Sequence, residues 1–148
     1  YKNKKMLSNT SKYAIRALIY LELYSNSEHK VGIKKIAENL DIPSPFLGKI
    51  LQMLVKHKLL ESTKGPHGGF CLQKPAIDIC LMEVVEIIEG KDTFDLCVIR
   101  TEPCDMNRPC SMHHKLAPLR KEIKSLFATQ TIADLVSEFR EGKERIRI

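Results

Sequence analysis

Apolar residues recur along this chain at two periods, and the switches between them divide it into elements. Ala14, Ala17, Leu18 and Leu21 fall at i, i+3, i+4 and i+7, which predicts a helix over residues 8–25 with one buried stripe. Asn26, Ser27 and Glu28 interrupt it. Ile33, Ile36, Ala37 and Leu40 predict a second, shorter helix from Ile33 to Leu40. A turn with two prolines follows from Asp41 to Pro45, in which Ser44 is expected to cap a third helix with Pro45 at its first position. That helix is expected to reach about Lys58, with Leu47, Ile50, Leu51, Leu54 and Val55 on one face. The period then shortens. Leu59–Thr63 and Gly69–Leu72 read as two strands joined by a glycine-rich loop from Lys64 to Gly68.

Beyond the hairpin, Pro75 to Cys80 reads as a linker. Leu81, Val84, Val85 and Ile88 predict a helix from Leu81 to Glu89 that Gly90 ends. Residues 91–112 show no period and hold two prolines and three cysteines; loops this long are usually functional or disordered. Leu116, Leu119, Ile123, Leu126 and Phe127 predict a long helix from His114 to Ala128. Thr131 is expected to cap a last helix, Ile132 to Phe139, with Asp134 completing an approximate capping box. The charged tail from Glu141 to Ile148 is expected to fray.

Two short helices joined by a tight turn, preceded by a longer helix and followed by a hairpin, give the order of a winged helix–turn–helix. A generic three-helix bundle fits the helices equally well, and the hairpin separates the two readings. The expected fold class is mainly α with a small β-hairpin wing. Residues 6–75 form the expected DNA-binding domain.

Charge sharpens this picture. Residues 1–75 hold 13 Lys or Arg against 5 Asp or Glu, whereas residues 76–148 hold 11 against 13. One half suits a polyanion and the other does not. On the third helix, Pro45, Gly48, Lys49, Gln52 and Lys56 lie opposite the apolar stripe. Ser44, Pro45, Lys49 and Gln52 stand nearest its start and are best placed to enter a major groove. Gln52 suits adenine and Lys49 suits guanine or phosphate, while Lys56 reads as a solvated side chain. Lys64 and His67 at the wing tip suit phosphate or the minor groove, and Lys12, Arg16 and Lys34 are further phosphate contacts. Double-stranded DNA is the expected partner.

At 148 residues the chain can bury a core without disulfides. No apolar run approaches the roughly 20 residues of a membrane span, so no membrane partner is expected. Tyr1 to Lys5 is not followed by the apolar segment of a secretory signal, and Met6-Leu7 reads as a natural start with five residues added ahead of it. A cytoplasmic location is expected. No nucleophile–base pair or paired carboxylates suggest an enzyme.

The five cysteines divide into two kinds. Cys71, in a strand, and Cys80, beside an apolar helix, read as buried structural thiols. Cys97, Cys104 and Cys110 lie on the aperiodic loop with His113 beyond them, a C-x6-C-x5-C-x2-H spacing. Clustered thiols on a polar loop suit a soft metal centre. Zinc sites usually hold tighter C-x2-4-C pairs, and the wider spacing suits an iron–sulfur cluster better. Zinc and free thiols remain alternatives. A thiol-redox or zinc-responsive DNA-binding regulator is therefore the second reading. An electron carrier or cluster-transfer protein is the third, and it leaves the basic half and the hairpin without a purpose.

Ser11-Lys-Tyr-Ala-Ile-Arg-Ala17, Lys64-Gly-Pro-His-Gly-Gly-Phe70 and the loop from Cys97 to Cys110 together resemble the Rrf2 family, from Met6 to about Val136. The resemblance implies a winged helix–turn–helix transcription regulator, usually a repressor. It implies a homodimer on palindromic DNA that meets RNA polymerase only indirectly, at promoters. It also implies that the helix from His114 to Ala128 dimerises, so that residues 76–140 form a cysteine loop with dimerisation helices. Each protomer would hold a [2Fe–2S] or [4Fe–4S] cluster that senses iron–sulfur status, redox state or nitric oxide. Cys97, Cys104 and Cys110 would be ligands, and His113 matches the histidine ligand of the branch that regulates iron–sulfur assembly. The first gap is one residue longer than in that branch. Lys12 stands where the nitric-oxide-sensing branch has a carboxylate ligand, and a cation cannot ligate iron.

Overall fold

The computed structural model describes residues 6–95, 97 and 99–140, so the expected fraying of residues 141–148 lies outside the described residues. Helix α1 runs Asn9–Tyr24, and the hydroxyl of Ser8 caps it by accepting from the Ser11 N–H. Its stripe of Ala14, Ala17, Leu18 and Leu21 is completely buried. Helix α2, Ile33–Leu40, ends on Asp41 in a left-handed conformation (φ 53°), which short polar side chains tolerate better than most. There the Ile42 N–H reaches back to the Ala37 carbonyl and fixes the turn into the next helix.

Helix α3 spans Ser44–Lys56, starting one residue before and ending two residues before the expected bounds. Ser44 does not cap it. Pro43 holds the cap position, no side chain bonds the first N–H groups, and Pro45 lies inside the first turn. The proline supplies the preset φ and lacks the N–H that a cap would otherwise satisfy. Leu47, Ile50, Leu51 and Leu54 are buried against α1 and α2.

Strands β1, Leu60–Thr63, and β2, Gly69–Leu72, pair antiparallel with Leu60 opposite Leu72 and Thr63 opposite Gly69. A two-stranded hairpin is marginal alone. This one is anchored by Val31, which exchanges two backbone hydrogen bonds with Phe70 (3.1 and 2.9 Å). Lys30 adds a salt bridge to Glu61 (3.0 Å), and the Cys71 thiol donates to the same carboxylate (3.2 Å).

The expected linker contains a single 3-10 turn, Ala76–Asp78. Helix α4, Leu81–Glu89, ends at Gly90 with φ 95°. Helix α5 covers His113–Thr129 and accommodates Pro118, while α6 covers Ile132–Arg140. Thr131 and Asp134 form the expected capping box: the Asp134 N–H donates to the Thr131 hydroxyl, and the Thr131 N–H donates to the carboxylate. That backbone donation, with the hydroxyl's, holds Asp134 below the usual carboxylate range. Its stabilisation is therefore present at neutral pH and is lost as pH falls through the lowered value.

One core joins these elements. Ile79, Val84, Ile132 and Val136 pack with the buried residues of α1, α2 and α3, and α1 touches both α4 and α6. Helix α5 differs, because none of its residues is buried; Leu119 and Leu126 are more than half exposed.

Candidate nucleic-acid interface and thiol loop

The helix–turn–helix geometry turns one face of α3 to solvent because the other is committed to the core. On the open face Pro45, Lys49 and Gln52 are exposed, and Ser44 is half-buried. Lys64 and His67 are exposed on the hairpin loop, and Lys12 and Lys34 are exposed on α1 and α2. Arg16 behaves differently from these cations. It is half-buried, and its Nη2 donates to the Leu40 carbonyl (2.8 Å).

The start of α1 is tied to the end of α4. The Ser8 N–H donates to the Glu89 carboxylate (2.8 Å), and the hydroxyl of Ser11 donates to the same oxygen. Ser11 is the single buried polar side chain among the described residues, and this bond satisfies it. Glu89 immediately precedes Gly90, where the aperiodic loop begins.

That loop is docked on α5 at its start. Phe94 packs against Phe127 with ring centroids 5.0 Å apart and planes tilted by 56°, and Asp95 forms an ion pair with Lys124. Two backbone bonds fold the chain on itself: Cys104 N–H to the Asp95 carbonyl (3.2 Å) and Cys97 N–H to the Glu102 carbonyl (3.4 Å). Cys97, Cys104 and Cys110 are all free thiols and partly accessible. Cys104 Sγ lies 3.0 Å from His113 Nδ1. The His113 N–H donates to the Cys110 carbonyl (2.9 Å), which places that imidazole at the first position of α5. Among the described residues no three Cys, His, Asp or Glu side chains gather as a ligand set. The loop thus brings Cys104 and His113 together and leaves Cys97 and Cys110 apart from them. A cleft of about 350 Å³ opens beside this pair, lined also by Asp95, Arg120, Lys121 and Lys124.

The thiols differ in acidity for identifiable reasons. The Arg100 and Ile99 backbone N–H groups point at the Cys97 sulfur and lower its pKa, assisted by the charges of Arg100 and Arg120. Burial, reinforced by Glu61, pushes Cys71 up to about 11. Cys80 is half-exposed at the N-cap of α4 rather than buried; the bridge that sets it opposite Thr131 is bonded through its neighbours, Leu81 N–H to the Gln130 carbonyl and Ile132 N–H to the Ile79 carbonyl, and does not cover its side chain. In metal-free protein at mildly alkaline pH, an alkylating reagent is expected to modify Cys97 first, since thiolate is the reactive form. Cys71 should stay unmodified until the protein unfolds. Peptide mass spectrometry over a time course reads the order.

Sequence reasoning missed the Ser11–Glu89 bond and the inward role of Arg16. Their partners lie 78 and 24 residues away, beyond the reach of local pattern.

Comparison with known proteins bears on most of the chain. The family model Rrf2, described as an iron-dependent transcriptional regulator, matches residues 7–138. A protein of Aquifex aeolicus named as a helix–turn–helix-type transcriptional regulator is 34% identical over 134 residues, covering 89% of this chain and 92% of that one. Among solved structures, T. potens IscR has a TM-score of 0.71 at 24% identity, covering 93% of this chain and 90% of its own. CymR, the global cysteine regulator of B. subtilis, has a TM-score of 0.71 at 21% identity, covering 88% and 95%. These two structures share the winged-helix fold seen here.

Proposed function

The chain belongs to the Rrf2 family of DNA-binding transcriptional regulators, and from that premise we propose that it is a cytoplasmic homodimeric repressor whose DNA affinity responds to an iron–sulfur cluster. The observation that carries the reading is the open face of α3: Lys49 and Gln52 exposed opposite a fully buried apolar stripe, with Lys64 and His67 on the adjacent hairpin. In the proposal Ser44, Pro45, Lys49 and Gln52 enter the major groove, and Lys64 and His67 track the backbone or minor groove beside it. Lys12 and Lys34 add phosphate contacts. A homodimer presents two such surfaces to a palindrome, with half-sites about one helical turn apart. The unburied apolar stripe of α5, Leu116, Leu119, Ile123 and Leu126, supports that helix as the dimer contact.

Three free thiols on one docked loop, with an imidazole beside Cys104, have the donor chemistry of a cluster site. Cys97, Cys104, Cys110 and His113 would hold the cluster, which when bound supplies a centre sensitive to oxidation, nitric oxide and iron supply. The chain's own contribution is to fix where the loop begins: Phe94 and Asp95 dock it on α5, and Glu89 ties its base to Ser8 and Ser11. Rearrangement of the loop therefore bears directly on α1 and α5.

The Cys104–His113 contact and the acidic Cys97 thiol favour a second reading, thiol-redox sensing on the same DNA-binding frame. The visible spectrum of anaerobically purified protein separates the two, since only a cluster absorbs broadly there.

The DNA assignment is tested by salt dependence. Binding to duplex DNA should weaken steeply with salt, and Lys64→Ala should reduce the slope of log K against log salt by about 2, as one fewer phosphate is neutralised in each half-site of the homodimer's palindrome. Identical slopes would remove Lys64 from the interface.

A further inference from the structure

The Phe46 ring is 40% exposed in the first turn of α3, where a large apolar side chain gains little from the core. It is nevertheless held. Tyr13 of α1 meets it edge to face, with centroids 5.8 Å apart and planes at 87°. The Arg16 guanidinium lies 5.9 Å from the Tyr13 ring centroid, and its Nη2 bonds the carbonyl of Leu40 at the end of α2. Arg16 Nε is buried without a hydrogen-bond partner among the described residues, a polar cost that the stack must offset. An arginine, a tyrosine and a helix-end carbonyl thus fix one apolar ring at the start of α3. The ring shares its helix flank with Lys49, three positions on.

We infer that Phe46 is a specificity-determining residue that packs on the 5-methyl group of a thymine, with Tyr13 and Arg16 as its positioning residues. The inference rests on the DNA-binding reading above and deepens it. The polar and cationic groups around Phe46 suit base edges and phosphates, and an aromatic ring suits neither. Among the base edges in the major groove, thymine alone presents a methyl group, which apolar side chains contact. A ring already held by Tyr13 loses little freedom on binding, so the contact forms at low entropic cost. Arg16 then serves DNA recognition from inside the protein rather than by touching phosphate.

The experiment begins with a random duplex pool, from which the full-length protein selects its preferred sequences. Each thymine of the winning duplex is then replaced singly by deoxyuridine, which removes only the methyl group. Wild type is expected to lose about fourfold in affinity at one thymine per half-site, the worth of one buried carbon. Phe46→Ala should bind wild-type duplex more weakly and show no uracil effect at that position. Tyr13→Leu should diminish the effect while keeping the salt slope, a readout that a merely destabilised protein would not give. Thermal melts of each variant confirm folding, and Phe46→Leu should keep part of the discrimination because it keeps an apolar side chain. Uracil substitutions that leave wild-type affinity unchanged, or that affect wild type and Phe46→Ala equally, overturn the assignment while DNA binding stands. A pool that enriches nothing overturns the DNA-binding reading and this assignment together.

Discussion

Gly69→Ala is expected to destabilise the protein by more than about 3 kcal/mol and to abolish specific DNA binding. A Cβ at this position would lie 2.5 Å from both the carbonyl carbon and the oxygen of Val31. Those atoms belong to backbone and cannot rotate away. The residue also sits at φ 151°, where L side chains are strained. Relief requires opening the Val31–Phe70 bridge, whose two hydrogen bonds anchor the hairpin to the helical core. Phe70, 9% exposed, would leave the core with it, and Lys64 and His67 would lose their fixed position beside α3. Thermal denaturation should show a fall of about 10 °C for a chain of this length. Gly32→Ala is the matched control, since a Cβ there meets nothing within 4 Å. A Gly69→Ala protein that melts with wild type would mean that the hairpin is not anchored through this strand.

Cys104→Ala is expected to remove the visible absorption of iron–sulfur-reconstituted protein and to lower iron affinity by more than about tenfold. Even partners outside the ligand set cost 10- to 100-fold when lost, and a ligand costs at least as much. Cys104 is also the residue in contact with His113, so its loss removes a thiol and frees the imidazole together. The fold should survive, because Cys104 stands outside the buried core. Cys80→Ala should keep the absorption. A Cys104→Ala protein with the full wild-type spectrum would move the ligand set elsewhere.

Helices α1, α2 and α3 were legible because each buries a stripe that sets the period: Leu18 and Leu21, Ile36 and Leu40, Leu51 and Leu54 are all fully enclosed, whereas α5 keeps the period with its stripe unburied. The hairpin was legible because Gly69 and its loop have few alternatives. Helix starts were less so. Ser44 has the chemistry of a cap, yet Pro43 and Pro45 together satisfy the first turn by removing a donor rather than bonding one. Arg16 reads as one more cation in a basic half, and only the fold brings Leu40 and Tyr13 to it. Cys80 follows the same logic in reverse, since an apolar neighbourhood in sequence did not enclose its side chain. The thiol loop shows the limit most clearly. Spacing named Cys97, Cys104, Cys110 and His113, but in the protein's own packing only Cys104 and His113 meet. Bringing the other two thiols in is work that metal binding itself would do, and binding couples to folding at such sites.

Fluorescence anisotropy on the duplex selected from the random pool, with iron–sulfur-loaded and cluster-free protein at the same salt, tests the proposed switch directly. Coupling between sites is typically 1–3 kcal/mol, so the two forms should differ by about 5- to 150-fold. Equal affinities for the two forms on every selected duplex would contradict a cluster-dependent regulator.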